Sequence, residues 1–579
     1  MNRVSHAENV PLMLMHGKYE RETLLKDLLA GAVVAIMLIP QSLAYALLAG
    51  LPAEMGLYAS IVPLVAYALI GSSRTLSVGP VAVISLMTAA ALGDVASQGT
   101  ADYATAATAL ALLSGAMMVI MGCLRFGFLT NFLSHSVVSG FITAAGVLIA
   151  LSQLRHILGI DAAGGTAPAL LASLAGNLSA LNATTLVIGA GSVLWLVWSR
   201  VRLAALIEKL GTSKSLAAIA AKAAPLMVVI ATAAASGLFG LESKGVAIVG
   251  EIPSGLPAFS VPLFNLDLWA SLWVPALLIS VIGFVESVSV GKTLAAQSQD
   301  RINPNRELIA LGAANLGAAV SSGFPVTGGI ARSMVNHDAG AATQMASIFA
   351  ALGITLATLF LTPALYYLPK ATLAATIVVA VSTLLNIRAV KRAWLYSRTD
   401  FIAITLTILV TLLLGVELGV LSGIVASVGL HLYKTSKPHV AVVGAVPGTE
   451  HYRSVNRHQV VTYPSLLSLR VDESLYFVNT SFLETCIEQA VADSPGLEHV
   501  ILQCTAVNEI DLSALEVLEQ LDLRLTASGI QLHLSEVKGP VMDALQRYGF
   551  PEQLSGEVFL THHQAVSRLK PDLIEPYIP

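Results

Sequence analysis

Charge is scarce in this sequence. Only 12% of its 579 residues are Asp, Glu, Lys or Arg, against about 25% in an ordinary soluble domain. Hydrophobic residues make up 55%. That balance excludes a wholly water-soluble chain and implies a polytopic membrane protein. The net charge of −4 offers no basic surface for a nucleic acid. Cysteine is rarer still: Cys123, Cys486 and Cys504 stand too far apart for a disulfide framework or a metal motif. A nucleotide-binding glycine loop and a catalytic-triad pattern are also missing. We therefore expect no enzyme, no cofactor and no bound metal.

What the sequence has is apolar runs. After a polar lead-in, residues 1–26, they fall near 28–48, 56–70, 79–92, 104–121, 131–151, 183–198 and 224–240. Beyond a Pro/Gly-rich loop they resume near 271–290, 306–320, 329–336, 342–361, 371–385, 400–414 and 417–433. The first is about 20 residues long, too long for a signal-peptide core, and reads as a retained span. Fourteen segments split into seven plus seven, and an odd repeat inverts its second copy. With the N-terminus inside, the predicted cytoplasmic loops hold Arg74, Arg125, Arg200, Arg202, Lys209, Lys214, Lys222, Lys292, Arg301, Arg306, Arg388, Lys391, Arg392 and Arg398. The predicted outer loops hold only Arg155, Lys244 and Lys370. This is a strong positive-inside bias.

Two stretches break the apolar pattern. Residues 321–344, SSGFPVTGGIARSMVNHDAGAATQ, put Pro325, Gly328, Gly329 and Arg332 inside apolar surroundings. Residues 77–86, SVGPVAVISL, open in the same way on a Gly-Pro break. Paired interruptions in corresponding positions of two halves point to helices that begin inside the membrane, their N-termini facing a substrate. The expected half-helices, the third and tenth segments, start near Val81 and Ile330. A fixed cation, Arg332, beside a helix N-terminus makes an anion site. Ser333, Ser287 and Thr327 are candidate hydrogen-bond donors to an oxyanion. In the first span, Gln41 and Tyr45 share one helical face beside Pro40, which favours a cavity-lining role. Glu286 is the one carboxylate placed in mid-span, at a cost of about 2.5–3.5 kcal/mol if ionised. It reads either as a permanent helix contact or as a proton-coupling group, and we expect the second.

Near Lys434 the texture changes. Strand-like runs (Leu466–Val471, His499–Cys504, Ile530–Leu534) alternate with helical ones (Phe482–Ala492, Ser513–Ala527, Pro540–Tyr548), which implies a small α/β domain in residues 436–579. Asp511 is expected to cap the helix that follows it.

The stretches IPQSLAYALLAGLPAEMGLYAS (39–60), SVGPVAVISL (77–86), GFVESVSVGKTLAAQ (283–297) and FPVTGGIARSMVNHDAGAATQ (324–344) resemble the sulfate permease (SulP) family of anion transporters. The resemblance runs from about Leu24 to the C-terminus. It implies a polytopic α-helical membrane protein with fourteen segments as a seven-plus-seven inverted repeat, followed by a soluble α/β STAS domain. In residues 27–435, segments 1–4 and 8–11 would form a core that moves like an elevator against a gate of segments 5–7 and 12–14. It implies substrate contacts at Gln41, Tyr45, Val81, Ala82, Ala331, Arg332 and Ser333, and proton coupling at Glu286. It further implies a homodimer in the cell (inner) membrane, with the N-terminus and the STAS domain cytoplasmic and a cytoplasmic protein as the STAS domain's partner.

Two departures bear on substrate. Gly329 and Ala331 stand where plant sulfate carriers usually have serines, which leaves room for a C4-dicarboxylate. Sodium-coupled bicarbonate carriers tend to lack the arginine supplied here by Arg332. Leu512 replaces the serine phosphorylated in anti-sigma-factor antagonists, which argues against a phosphoswitch there. The expected function is proton-coupled sulfate symport. The alternatives are a proton-coupled dicarboxylate carrier, a bicarbonate carrier, an anion channel and a sensor signalling through the STAS domain.

Overall fold

The structure is a computed structural model that describes residues 19–570 apart from 94, 99, 132–134, 212, 214–216, 218–220, 222, 254, 258, 260–265 and 299. Lys214, Lys222, most of the N-terminal lead-in and the last nine residues of the expected STAS domain lie outside the described residues. Contacts divide the chain into two units, Met1–Ser427 and Val428–Pro579.

The first unit is helical. Its elements are α1 (Arg21–Leu48), α2 (Ala53–Tyr58), α3 (Val62–Ile70), β1 (Val78–Gly79), α4 (Ala82–Gly93), α5 (Ala101–Cys123), α6 (His135–Leu158), α7 (Ala167–Gly176), α8 (Ala183–Trp198), α9 (Ala204–Lys209) and α10 (Ala224–Phe239). There follow α11 (Leu266–Ser298), α12 (Pro304–Val320), β2 (Thr327–Gly328), α13 (Ile330–Asp338), α14 (Met345–Phe360), α15 (Lys370–Val381), α16 (Ile387–Tyr396), α17 (Arg398–Leu414) and α18 (Val416–Ser436), the last of which runs on into the second unit from Val428. Among the described residues, eight helices are long and apolar enough to cross a membrane, and four more are shorter and apolar. Local chemistry sets the ends. Thr100, Asn182, Asn303, Asn386 and Ser397 each cap the following helix by accepting a backbone N–H. Hydroxyls inside spans turn back onto their own helix, as Thr88 does to Ile84 O and Ser114 to Leu110 O.

Small residues let these helices meet. A Cβ on Gly115 of α5 would lie 2.8 Å from Leu316 N, and one on Gly312 of α12 would lie 2.8 Å from Gly115 O. A Cβ on Gly31 of α1 would lie 2.6 Å from Phe349 Cβ on α14. Lipid gives apolar side chains no reason to leave it, so close backbone approach does the packing.

Two buried carboxylates, absent from the sequence reading, sit at helix ends. Asp27 on α1 accepts from Ala342 N–H (2.7 Å), Thr343 N–H (3.0 Å) and Thr343 Oγ1 (2.6 Å), tying α1 to the start of α14. Glu307, in the first turn of α12, accepts from Tyr67 Oη (2.8 Å) and from Ser72 N–H and Oγ (2.8 and 2.6 Å). Each charge is spread over several donors, which is how a fully buried carboxylate is tolerated.

The second unit carries a six-stranded sheet ordered β4-β3-β5-β6-β7-β8. Its strands are β3 (Val440–Ala445), β4 (Tyr452–Ser454), β5 (Leu466–Val471), β6 (His499–Gln503), β7 (Gln531–Ser535) and β8 (Val558–Phe559). β5 through β8 are parallel, and β3 runs antiparallel to both its neighbours. The parallel strands are joined by α19 (Thr480–Ala492), α20 (Leu512–Ala527) and α21 (Gly539–Tyr548). Val500 and Leu502 of β6 join one core cluster with these helices, while Ile501 between them joins a second cluster with Ala565 and Val566. That is the period-two alternation of a sheet covered on both faces. Asp511 caps α20 through Ala514 N–H at 2.8 Å, as expected. β3 and the two edge strands, β4 and β8, were not among the strand-like runs of the sequence reading; β4 and β8 are short and take their register from their neighbours.

Candidate functional site

The centre of the first unit is a crossing. β1 and β2 pair antiparallel, Val78 with Gly328 and Gly79 with Thr327. The pairing is unchanged if Val78-Gly79 is exchanged with Thr327-Gly328, so the two arms are related by a local twofold. Each arm leads straight into a helix, α4 on one side and α13 on the other. The first N–H groups of a helix have no carbonyl partner within it. Both helices therefore begin with unsatisfied donors and the positive end of a dipole.

Side chains from outside the arms hold the crossing shut. Asn315 of α12 donates from Nδ2 to Val326 O and accepts Val326 N–H, both at 2.9 Å. Gln344 Nε2 donates to Ser73 O (2.6 Å) and Leu76 O (3.0 Å), and Asn336 Nδ2 to Thr75 O (3.0 Å). From α11, Ser287 Oγ accepts Gly328 N–H at 2.8 Å and lies 2.7 Å from Thr327 Oγ1. Thr327 Oγ1 gives its only proton to Gly283 O at 2.7 Å, so the Ser287 proton goes to Thr327. Neither hydroxyl keeps a proton for an anion. This corrects the sequence reading of Ser287 and Thr327 as oxyanion donors: they clasp β2 to α11.

Beside the crossing lies a cavity of about 670 Å³. It gathers Gln41, Tyr45, Val81, Ala82, Glu286, Ala331 and Arg332, seven of the eight expected residues, from α1, α4, α11 and α13. Ser333 is not among the lining residues. It is fully buried, and its Oγ accepts Ser77 N–H at 3.0 Å, so it bonds one arm to the other. The opposite wall comes from α8, α10 and α15, with Leu196, Pro225, Val379 and Arg200 among its residues.

Arg332 is 2% exposed. It reaches across the twofold, donating from Nη1 to Pro80 O at 2.6 Å and from Nη2 to Thr327 O at 3.1 Å. Two glycines make the space. A Cβ on Gly79 would come 3.0 Å from Nη1, and one on Gly329 would come 3.0 Å from both Nε and Nη2. Close approach to a guanidinium thus explains these glycines. Among the described residues Arg332 Nε and Glu286 Oε2 are buried without a hydrogen-bond partner. Both charged side chains keep unused hydrogen-bonding capacity beside an accessible cavity.

The sequence reading placed Arg200 in a cytoplasmic loop; the structure puts it on the cavity wall. It belongs to a π-helical turn, Ser199–Leu203, that continues α8. The signal for it was an apolar run continuing past two arginines, in a turn type often found at functional sites.

The sulfate permease family description matches residues 24–407, and the STAS domain description matches 457–565. The chain belongs to the sulfate permease family. This sulfate permease member is 36% identical over 553 residues to "Sulfate transporter 4.1, chloroplastic" of Arabidopsis thaliana, covering 93% of this chain and 79% of that one. It is 32% identical over 563 residues to "Probable sulfate transporter MT1781" of Mycobacterium tuberculosis, covering 97% and 98%. Among solved structures it resembles the murine Solute Carrier 26 family member A9 anion transporter in the inward-facing state. That likeness has a TM-score of 0.86 and 25% identity, and covers 99% of this chain and 97% of that one. The transmembrane domain of a cyanobacterium bicarbonate transporter shares the fold, with a TM-score of 0.59 at 20% identity over 71% of this chain and 99% of that one.

Proposed function

We propose that the protein is a secondary active transporter of a divalent anion, sulfate foremost, carried in symport with a proton. The observation that carries this reading is the meeting of two helix N-termini, Arg332 and Glu286 in one cavity. Each N-terminus offers roughly +0.5 charge and the guanidinium one unit more, about +2 in all. That balances a divalent anion. An ionised Glu286 cancels about half of it, and a proton on Glu286 restores it. Anion and proton then favour each other's binding, which is the thermodynamic content of symport. Sulfate is favoured by the relatives at 36% and 32% identity, whose names are those of sulfate transporters.

In this reading residues 27–435 are fourteen segments in an inverted repeat, and the crossing is the repeat's centre. Segments 1–4 and 8–11 form a core that carries Arg332 and Glu286. Segments 5–7 and 12–14 form a gate that carries Arg200, and the core slides past it like an elevator. The N-terminus (1–26) and the STAS domain (436–579) are cytoplasmic, the chain sits in the inner membrane as a homodimer, and the STAS domain meets a cytoplasmic protein. A second reading, a C4-dicarboxylate as cargo, is favoured by the cavity itself. It is roomy, Met37, Met334 and Leu384 line it, and neither Ser287 nor Thr327 offers it a hydroxyl proton.

The test is labelled sulfate uptake into liposomes holding the purified protein, with and without an inward proton gradient. Accumulation above equilibrium only with the gradient is expected. Fumarate uptake without sulfate uptake would keep the mechanism and change the cargo. Uptake that never exceeds equilibrium would sink the coupled carrier in favour of a channel. In the same assay Glu286→Gln is expected to transport with a flat pH profile; a profile like the wild type's would remove Glu286 from proton coupling.

A further inference from the structure

Helix α16, Ile387–Tyr396, is not among the cavity-lining residues. Its sequence is IRAVKRAWLY. Ala389, Val390 and Ala393 form the less exposed side. The rest of its circumference is open: Ile387 is 75% exposed, Trp394 63%, Leu395 75% and Tyr396 91%. Arg388, Lys391 and Arg392 are exposed with them. No carboxylate among the described residues pairs with these three cations. Arg398, two residues past the helix, opens α17 and adds a fourth.

At about 100° per residue, Trp394 and Ile387 fall on one border of the open face, with Arg388 and Arg392 toward the other. Lys391 and Leu395 lie between. Water does not suit so much open apolar surface, and hydrocarbon does not suit three unpaired cations. The boundary between them suits both, and clustered basic residues there select anionic headgroups. The Trp394 ring is held edge-on to Phe401, with centroids 4.7 Å apart.

We propose that α16 lies along the membrane boundary and binds acidic phospholipid headgroups through Arg388, Lys391, Arg392 and Arg398. The site is coupled to the cavity through the chain. Thr383 and Leu384 line the cavity, and α16 starts three residues later behind its cap, where Asn386 Oδ1 accepts Ala389 N–H at 3.1 Å. A lipid held on α16 therefore steadies the cavity wall formed by α15.

The experiment uses the full-length protein in nanodiscs of phosphatidylcholine doped with phosphatidylglycerol. Co-purifying lipid is quantified against the bulk mixture, so the main readout does not depend on the transport reading. The wild type is expected to enrich phosphatidylglycerol severalfold. The combined variant Arg388→Gln, Lys391→Gln, Arg392→Gln is expected to lose that enrichment. A variant with the same charge loss on the second unit, Arg453→Gln, Arg457→Gln, Arg547→Gln, is expected to keep it. Equal enrichment by wild type and α16 variant, or equal loss by both variants, overturns the proposal. So does a change of oligomeric state in the α16 variant without a change in lipid, which would make this face an interface between copies. Anion uptake by the wild type, where present, is expected to be severalfold faster with phosphatidylglycerol than without it, and the α16 variant is expected to lose that difference.

Discussion

Val78-Gly79-Pro80-Val81-Ala82-Val83-Ile84 and Thr327-Gly328-Gly329-Ile330-Ala331-Arg332-Ser333 are two versions of one device. Their pairing is symmetric, each begins with a short strand, and each ends in the first turn of a helix. They differ in side chains. The first arm gives the cavity only backbone and methyl groups, and Val83 stands where the second arm has Arg332. The second arm brings the charge, but the first arm's Pro80 carbonyl helps to hold it in place. In the proposed reading, two backbones make a general anion cradle. One arginine, shared across the twofold, makes a particular one.

If that division holds, removing the arginine should cost most. Arg332→Gln deletes the fixed charge and leaves the Pro80 and Thr327 carbonyls short of a donor, a loss of about 3 kcal/mol or more. Anion uptake is expected to fall at least about 100-fold in kcat/KM. Arg332→Lys keeps the charge but not the fork, and should lie between the two. A variant within a few fold of wild type would mean that the helix termini suffice and the arms are functionally alike.

Substitutions at the paired glycines sharpen the comparison from the steric side. A Cβ on Gly328 would stand 2.9 Å from both Leu76 Cδ1 and Ser287 Oγ, so Gly328→Ala must open the crossing. It is expected to lower thermal stability by about 1–3 kcal/mol of overpacking. Its twofold partner Gly79 meets the end of the Arg332 side chain but also has a φ of +158°, so Gly79→Ala is expected to cost some stability through its backbone, less than Gly328→Ala, and to weaken anion binding as well. Equal thermal shifts would show that the arms are under the same strain.

Ser333→Ala removes the acceptor of Ser77 N–H and leaves a buried donor unpaired, at about 1–3 kcal/mol. The loss should appear as a lower melting temperature with KM nearly unchanged. A large KM effect with normal stability would return Ser333 to the substrate's contacts.

These contrasts show which parts of the site were legible in the sequence. The breaks at Gly79-Pro80 and Gly328-Gly329 and the charge of Arg332 stand out because an apolar run makes any exception conspicuous. The helices found over each predicted run have the same cause. Glu307 and Asp27 were hidden because each lies near a polar segment, where a carboxylate looks ordinary; only the donors folded around it reveal the burial. Ser287 and Thr327 misled for a related reason. A hydroxyl beside an anion site has the same sequence whether it faces the anion or a neighbouring backbone. Partner choice is tertiary information, and α16 looked like a loop because its basic residues were read as topology signals alone.

Arg200 offers the finest test of the comparison, because it brings charge to the cavity without belonging to either arm. It sits on the facing wall, where its one internal bond among the described residues, Nη1 to Val379 O, is long at 3.4 Å. A guanidinium so loosely held and exposed is screened by water, so its attraction for the anion is worth about 1 kcal/mol. Arg200→Gln is therefore expected to raise KM about fivefold, with kcat little changed and a shallower dependence on ionic strength. Arg202→Gln is the control, since Arg202 shares the same π-helical turn but is not among the cavity's lining residues. Should Arg202→Gln raise KM as much, the effect would belong to the charge of the surface and not to the cavity. Should Arg200→Gln cost as much as Arg332→Gln, any cation in the cavity would serve, and the asymmetry of the two arms would lose its meaning.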